Sequence, residues 1–355
     1  QSRSSAASDV YKRQIKILYA IQGTGNGHLS RAGALIPALQ KRGELDLLVS
    51  GRDVQVSVTY PILYRFNGAG FVFGQNGGID WYQTLRIQRP LALLQDSRAL
   101  PLRQYDLVIN DFEPVSALAA RRQGFDRMVS LSHQASFLSK NAPRPVRNRF
   151  SLDEPVAEWM FQHYAPCPSA IGLHFEAYDD FIHTPVIRPG IRMLRPSYDS
   201  GEVLVYLPAY QDDLLVAFLQ KVDPARSWIV FSKRQKATAR FGQVMVHPAG
   251  DALFCKHLEH AEAVLCGAGF ETPAEALFLG KKLWVIPMKQ QYEQACNAEA
   301  LRRMGIPTST GLSSSMMDEL RTWLLRKSPA ARAWPDHTEA LLSLCLDKVG
   351  QNRVL

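Results

Sequence analysis

The sequence predicts an α/β protein made of two Rossmann-like domains with parallel sheets. Short apolar runs typical of buried strands alternate with segments of helical spacing along most of the 355 residues. In each half a glycine-rich turn directly follows such a run, at residues 22–28 and 267–269. Between the halves, residues 188–200 carry two prolines and a glycine without periodicity, which predicts a linker. We therefore expect a first domain over residues 15–190 and a second over residues 200–330.

The two ends of the chain are predicted to lie outside this pattern. Residues 1–14 have no initiator methionine and no apolar core, so we interpret them as a non-native or disordered leader. Residues 331–355 include Trp334 and several leucines at helical spacing and predict a C-terminal helix.

Composition narrows the class of protein. No apolar run approaches the roughly 20 residues that cross a membrane. The five cysteines are scattered without Cys-x-x-Cys pairs, which predicts a reducing, cytoplasmic compartment and no zinc site. The formal charge of +8 favours anionic partners such as nucleotide diphosphates or an acidic lipid surface. Nucleic acid is the least favoured partner, because the basic residues are spread along the chain.

Apolar patterning gives the individual elements. Strands of the first domain are predicted at residues 15–21, 45–50, 106–110, 128–132, 170–174 and 186–187. Its helices are predicted at residues 29–42, 115–123 and 156–163. Strands of the second domain are predicted at residues 202–207, 228–231, 244–246, 264–266 and 283–287. The remaining helices are predicted at residues 214–220, 251–262, 274–279, 315–326 and 334–349.

The first glycine-rich turn, QGTGNGH, contains the first candidate for chemistry. A dinucleotide fingerprint would need glycine at position 28, where the chain has His28. This departure disfavours an NAD site. Imidazole titrates near neutral pH and suits a general base that deprotonates an attacking hydroxyl. The alternative is that His28 makes a local hydrogen bond or touches a substrate phosphate.

The second glycine-rich turn opens a helix at Thr272-Pro273. Free backbone N–H groups and the helix dipole make such a helix start suitable for a pyrophosphate. Glu275 lies one turn inside the helix, where its carboxylate could accept the two hydroxyls of a ribose. Glu293 and Gln294 follow the next strand and suit sugar hydroxyls. The alternative is an ordinary α/β unit with polar surface residues.

The pattern Gly-x-Gly-x-x-Thr-x-x-Glu, followed by a strand ending in proline and then Glu-Gln, resembles the donor half of GT-B nucleotide-sugar glycosyltransferases. It is most similar to the lipid-intermediate GlcNAc transferase of peptidoglycan synthesis, and more distantly to UDP-glucuronosyl and plant UDP-sugar transferases. The resemblance implies two Rossmann-like domains that face a central cleft, with the last helix crossing back to the first domain.

The resemblance also implies roles for residues of the second domain. The diphosphate would be bound by the turn, through Gly269 and Thr272, and Gly267 and Phe270 of the same turn are further donor-binding candidates. Glu275 would bind the ribose, and Glu293 with Gln294 would bind the donor sugar. Phe254 is a candidate contact for the nucleotide base. The loop 208–210, Pro-Ala-Tyr, departs from the Gly-Gly-Ser turn of the peptidoglycan enzyme, which puts a phosphate role for that loop in doubt.

In the first domain, the peptidoglycan enzyme has a similar Gly-Thr-Gly-Gly-His loop, in which Asn26 of this chain replaces one glycine. The implied catalytic base is His28. The implied acceptor-binding residues are Thr24, Gly25, Asn26 and Gly27. His133 follows the strand at 128–132, at the edge of the sheet where ligands bind, and is a further acceptor-site candidate.

Asp111 and Glu113 end the strand at 106–110 and would share one face of an extended backbone. Three interpretations remain open for them. The pair could hold a divalent metal, Asp111 could orient His28 as an aspartate does in the UDP-glucuronosyl relatives, or Asp111 could cap the helix at 115–123.

The predicted function is transfer of a hexose or N-acetylhexosamine from a nucleotide sugar, with UDP favoured, to a hydroxyl group. Transfer would be inverting and metal-independent, with no cofactor beyond the donor substrate. The acceptor would be a lipid, a glycan or a small molecule. The basic, proline-containing segment 137–150 predicts either peripheral contact with an anionic membrane or a solvated loop.

Three alternatives remain open at this point. One is a 2-epimerase or hydrolase of nucleotide sugars with the same fold. Another is a non-catalytic subunit that binds a nucleotide sugar. The third is an NAD-dependent oxidoreductase that uses the first glycine-rich turn.

Overall fold

The computed structural model describes residues 14–23, 26–51, 60–67, 90–146, 153–197 and 200–351. Thr24 and Gly25 of the predicted acceptor loop lie outside these ranges, as do nearly all of the predicted leader and the end of the basic segment 137–150. The chain forms two α/β sheets, one of seven strands and one of six.

The first sheet is entirely parallel, in the order β3-β2-β1-β4-β5-β6-β7. Its strands are β1 (Ile15–Gln22), β2 (Gly43–Ser50), β3 (Tyr64–Phe66), β4 (Leu107–Asp111), β5 (Met128–Ser132), β6 (Ser169–Leu173) and β7 (Ile182–His183). The helices of this half are α1 (Asn26–Gln40), α2 (Pro90–Ala99), α3 (Pro114–Gln123), α4 (Asp153–His163) and α5 (Pro189–Arg192). The central strands β4 and β5 are buried along their whole length, as expected for strands covered on both faces of a parallel sheet.

The second sheet has the order β10-β11-β9-β8-β12-β13, and only the edge strand β10 runs antiparallel to its neighbour. Its strands are β8 (Val203–Tyr206), β9 (Trp228–Ser232), β10 (Ala239–Phe241), β11 (Val244–Pro248), β12 (Ala263–Gly267) and β13 (Lys282–Ile286). The helices of this half are α6 (Asp212–Val222), α7 (Asp251–His260), α8 (Glu271–Phe278), α9 (Tyr292–Arg303) and α10 (Ser314–Leu324). Gly280 adopts a left-handed conformation, with φ 67°, directly after α8, and so ends that helix as the sequence predicts.

The last helix, α11 (Thr338–Gln351), packs against α1 and against strands of the first sheet. At its start, Glu339 accepts a hydrogen bond of 2.6 Å from Nη2 of Arg42. Nε2 of His337, just before the helix, lies 3.0 Å from the carbonyl oxygen of Thr184. The end of the chain is therefore attached to the first half of the structure. No described helix is long and apolar enough to cross a membrane.

Several predicted elements and boundaries differ from the structure; for example, α8 begins at Glu271 rather than at Ala274, and the segment predicted as a linker contains α5. The strand expected at 186–187 is absent, and the edge strand is β7 instead; Val186 and Ile187 are buried core residues outside a strand. The antiparallel strand β10 was not predicted, because only three residues of it pair with β11. Helix α1 begins at Asn26 rather than at Leu29, so His28 lies in its first turn.

Candidate active site

The site lies where the starts of α1 and α8 approach each other. Both helices follow the carboxyl end of a parallel strand, β1 or β12, which is where open α/β sheets bind ligands. Gly27 faces α8 closely: a Cβ atom built on Gly27 would lie 3.4 Å from Cγ of Glu271. The start of α8 therefore faces the first half of the molecule, in the gap between the two sheets.

His28 and Asp111 form a direct pair in this gap. Nδ1 of His28 lies 2.8 Å from Oδ1 of Asp111, the last residue of β4. The Asp111 side chain is fully buried, whereas 11% of the His28 side chain is exposed. If Nδ1 donates its proton to Asp111, Nε2 carries the free lone pair of the ring and is the nitrogen that can accept a proton.

Arg31, one turn after His28 on α1, binds the same carboxylate with two parallel hydrogen bonds. Its Nε lies 3.0 Å from Oδ2 of Asp111, and its Nη2 lies 2.7 Å from Oδ1. Burial alone would raise the pKa of the Asp111 carboxyl, but the charge of Arg31 and the contact with His28 outweigh it and lower this pKa to about 2. Asp111 is therefore a carboxylate at any pH where the protein would work.

Glu113 has a separate, structural role. Its carboxylate accepts hydrogen bonds from the backbone N–H groups of Val115 at 2.7 Å and Ser116 at 2.6 Å, so Glu113, not Asp111, caps α3. Phe112 between the two acidic residues has φ 55°, a left-handed conformation that is rare for a large residue. This turn breaks the extended backbone, so the two carboxylates do not share the face predicted from the sequence. No group of metal-ligating side chains occurs within the described ranges.

Glu271, the first residue of α8, completes a chain of charges across the gap. Its Oε1 accepts a hydrogen bond from Nη1 of Arg31, so one guanidinium binds Asp111 in the first half and Glu271 in the second. Burial raises the pKa of the Glu271 carboxyl to about 7; Arg31 opposes the rise, and the negative charge of Glu275 adds to it.

The start of α8 presents unpaired backbone donors. The N–H groups of residues 269–272 have no hydrogen-bond acceptor among the described residues, and the residue before the helix makes no side-chain cap. A Cβ atom built on Gly269 would meet nothing within 4 Å, so open space adjoins these donors. Gly267 is close to the side chain of Gln294, whose Oε1 would lie 3.5 Å from a Cβ at that glycine. This is the local geometry of a phosphate-binding helix start.

Glu275 already has a partner in the structure. Arg188 binds both of its oxygens, with Nε 2.6 Å from Oε1 and Nη2 3.1 Å from Oε2. The third nitrogen of Arg188 lies 2.6 Å from Oδ1 of Asp251. Only 3% of Glu275 is exposed. The carboxylate predicted to bind a ribose thus anchors the start of the linker, and only its remaining lone pairs are left for a ribose hydroxyl.

Glu293 and Gln294 lie in the first turn of α9, beside the start of α8. Oε1 of Gln294 accepts a hydrogen bond of 3.0 Å from the backbone N–H of Met288. Oε2 of Glu293 accepts one of 3.1 Å from Nε2 of Gln134, which follows β5 in the first half. Gln290, three residues before Glu293, has φ 58°, a left-handed conformation. Both predicted sugar-binding side chains therefore border the gap.

His133 lies deeper than predicted. It is 1% exposed, and its ring stacks on that of Phe270 with 4.1 Å between centroids. Nδ1 of His133 lies 2.7 Å from the carbonyl oxygen of Leu173, and Nε2 lies 2.8 Å from Oδ1 of Asn297. The prediction of an open acceptor contact is corrected here, because both ring nitrogens are occupied and the ring joins the two halves. The Phe270 ring takes part in the same stack. Its backbone N–H is one of the donors at the start of α8.

Phe254, predicted to contact the nucleotide base, and Arg144 of the basic segment both contact residues of their own half of the structure. Phe254 packs its ring against Tyr206 and Phe231, at centroid distances of 5.9 and 5.1 Å. Arg144 of the basic segment donates hydrogen bonds to Glu158 at 2.6 Å and to the carbonyl oxygen of Phe137 at 2.8 Å. This arginine therefore stabilises the first half of the structure through short-range contacts.

Sequence reasoning missed Arg31, Glu271, Arg188 and Gln134. A signal existed for the first of these, because His28 and Arg31 are three residues apart and a helix places such residues on one face. Glu271 adjoins the motif residue Thr272 but is not part of the motif pattern. The roles of Arg188 and Gln134 depend on contacts with residues 87 and 159 positions away, which no local pattern reveals.

The two facing α/β halves, with sheets of seven and six strands, define a GT-B fold. The family model described as glycosyl transferase family 1 matches residues 15–326, so the chain belongs to that family. The resemblance inferred from the motifs is therefore confirmed at the level of family and fold. No curated protein sequence matches the chain at a significant level.

Solved structures with the same fold come from several organisms. MurG of Acinetobacter baumannii is 15% identical over 95% of each chain, with a TM-score of 0.54. UGT2 of Phytolacca americana, in complex with UDP-2fluoro-glucose and pterostilbene, is 11% identical over 96% of this chain and 94% of that one, with a TM-score of 0.58. SnogD of Streptomyces nogalater is 15% identical over 94% of this chain and all of that one, with a TM-score of 0.52. At these identities the likeness concerns the fold.

Proposed function

We propose that the chain transfers a hexosyl or N-acetylhexosaminyl group from a nucleotide sugar to a hydroxyl acceptor, with His28 as the general base. The observation that carries the proposal is the position of the His28–Asp111 pair, which lies across a narrow gap from the unpaired N–H groups that begin α8. The second domain, residues 200–330, would bind the donor, and the first domain, residues 15–190, would bind the acceptor.

The reaction would proceed by a single displacement. The acceptor oxygen attacks the anomeric carbon while the bond from that carbon to the diphosphate breaks, which inverts the configuration. Nε2 of His28 takes the proton of the acceptor hydroxyl, and the Asp111 carboxylate stabilises the imidazolium that results. The N–H groups of residues 269–272 and the positive end of the helix dipole would stabilise the negative charge of the departing diphosphate. These donors can neutralise the leaving group without a metal ion.

The finer assignments follow from the same geometry. Gly267, Gly269 and Thr272 would contact the diphosphate, and Glu293 with Gln294 would bind sugar hydroxyls. UDP is the favoured nucleotide, a choice supported by the UDP-linked sugar in the Phytolacca americana enzyme of the same fold. Ribose binding by Glu275 would occur beside Arg188, which fixes the orientation of the carboxyl group and opposes the rise of its pKa caused by burial.

The test begins with the donor. UDP-, GDP-, dTDP- and ADP-glucose are compared for their ability to raise the melting temperature, because a ligand that binds only the folded state stabilises it. Release of nucleoside diphosphate is then followed with and without an extract of candidate acceptors. A transferase releases it only with acceptor, whereas a hydrolase or epimerase does not depend on the extract.

The residue-level test uses His28→Ala, with His163→Ala on the exposed face of α4 as the matched control. We expect His28→Ala to lower turnover by about 10²–10⁴-fold while donor binding remains, since a general base contributes that much. His163→Ala should behave like the wild type. Unchanged turnover in His28→Ala would show that His28 is not the general base.

A further inference from the structure

The guanidinium of Arg31 makes four contacts, two with Asp111, one of 3.2 Å between Nη2 and Nδ1 of His28, and one with Glu271, and only the contact with Glu271 lies on the donor side of the gap. The guanidinium is 2% exposed. Nε and Nη2 are committed to Asp111, and Nη1 is committed to Glu271. The contact with Glu271 can therefore be exchanged without disturbing the pair that holds Asp111.

The negative charge of Glu271 lies close to the proposed diphosphate-binding site. Its backbone N–H belongs to the group of unpaired donors at the start of α8, so its carboxylate lies within one residue of the place where a diphosphate would be received. A carboxylate and a diphosphate at close range repel each other. Donor binding must therefore neutralise Glu271 or displace its side chain.

We propose that Arg31 exchanges Glu271 for the diphosphate of the donor, and that Glu271 takes up one proton from solvent as it loses this partner. Nη1 of Arg31 then binds a phosphate oxygen, while Nε and Nη2 keep Asp111 in place for His28. The inference rests on the proposed donor site and adds to it a side-chain cation for the leaving group. The same guanidinium would link donor binding to the orientation of the base.

The charges around Glu271 favour proton uptake. Arg31 and Asp111 face it from the first domain, and Glu275 with its partner Arg188 lies one turn further along α8. Burial already raises the pKa of Glu271 to about 7, although Arg31 opposes the rise. Once Arg31 turns to the diphosphate, the two neighbouring carboxylates and the diphosphate all oppose ionisation of Glu271. The neutral acid can then remain beside the donor.

The experiment is isothermal titration calorimetry of the full chain with the sugar nucleotide that stabilises it most, among UDP-, GDP-, dTDP- and ADP-glucose. The diphosphate of these diesters does not titrate near neutral pH, so protons exchanged on binding come from the protein. Titrations in HEPES and in Tris at pH 8 give the number of protons from the difference in binding enthalpy. The variants are Glu271→Gln and, as a matched control, Glu319→Gln on the exposed face of α10.

The wild type should take up close to one proton at pH 8, and its Kd should weaken about tenfold for each pH unit above 7, as linkage to one proton requires. Glu271→Gln should take up no proton, bind with a Kd that does not change with pH, and bind about tenfold more tightly than the wild type at pH 8. Glu319→Gln should match the wild type. Arg31→Gln should weaken binding even at pH 6, where Glu271 is already protonated.

Two results would overturn the exchange. One is donor binding by the wild type without proton uptake, and the other is uptake that persists in Glu271→Gln. The wild-type measurement decides by itself if the variant does not fold. Failure of all four sugar nucleotides to bind is a different outcome, because it would contradict the proposed donor site itself.

Discussion

Asp111 Oδ1 lies 2.8 Å from Nδ1 of His28, so the end of β4 meets the first turn of α1 at a buried carboxylate. Arg31, one turn along the same helix, holds that carboxylate with two further hydrogen bonds. The proposed base and the cation that keeps the partner of this base charged therefore lie on the same helix. A histidine fixed in this way has a defined tautomer and a defined proton-accepting nitrogen.

Asp111→Asn keeps the shape of the side chain and removes its charge. We expect turnover to fall by about 10²–10⁴-fold, because the imidazolium formed on His28 loses its counter-charge and the ring can adopt the wrong tautomer. The measurement is kcat and KM with the identified donor and acceptor. The fall should appear in kcat, and the donor should still raise the melting temperature.

Glu113→Gln is the control for this variant, since the two carboxylates are only two residues apart. It should lower the stability by about 1 kcal/mol through the weakened cap of α3 and leave turnover of the folded protein unchanged. Equal losses of turnover in the two variants would show that the effect of Asp111 is structural.

Stability should depend on pH through Glu271. Burial, against the opposing charge of Arg31, raises its pKa from 4.5 to about 7, so between these values the folded chain holds a proton that the unfolded chain has released. The free energy of unfolding therefore falls as pH rises through this window, by about 3 kcal/mol in total. Urea unfolding at pH 5 and pH 8, without ligand, measures it. Glu271→Gln should lose this part of the pH dependence, and a wild type and variant that respond identically would contradict the assignment.

Asn297→Ala tests the contact between the two halves. Asn297 binds Nε2 of buried His133 at 2.8 Å and donates to the carbonyl oxygen of Ala268 at 3.1 Å. Truncation leaves both groups unpaired, which should cost about 1–3 kcal/mol in the free energy of unfolding. Asn141→Ala, at an exposed position, is the matched control. A loss no larger than that of the control would mean that the contact adds little.

Most of the fold could be predicted from the sequence because buried parallel strands leave a clear pattern. The runs before both glycine-rich turns, and the turns themselves, mark the βα units that carry the site. The edge strands β7 and β10 could not be predicted, since strands of two or three residues contain too few residues to show periodicity.

The site was predictable in part. Local signals are the basis on which His28 and the start of α8 are predicted as site residues, because a glycine-rich turn before a helix has a distinctive composition. His133 was placed at the correct end of β5 but at the wrong depth, because burial depends on Phe270 and Asn297 in the other domain. The ion pair of Glu275 with Arg188 could not be predicted either, because Arg188 lies in the segment interpreted as a linker.

Gly269→Val tests whether the start of α8 receives the donor diphosphate. A Cβ atom at 269 would meet no neighbour within 4 Å, and the backbone there is not left-handed, so we expect the variant to fold and melt like the wild type. Its added methyl groups would fill the space beside the unpaired N–H groups. Calorimetric titration with the sugar nucleotide should show at least about a hundredfold loss of affinity, or about 2.7 kcal/mol, while Gly190→Ala binds normally. A Gly269→Val protein that binds the donor as tightly as the wild type would contradict the account.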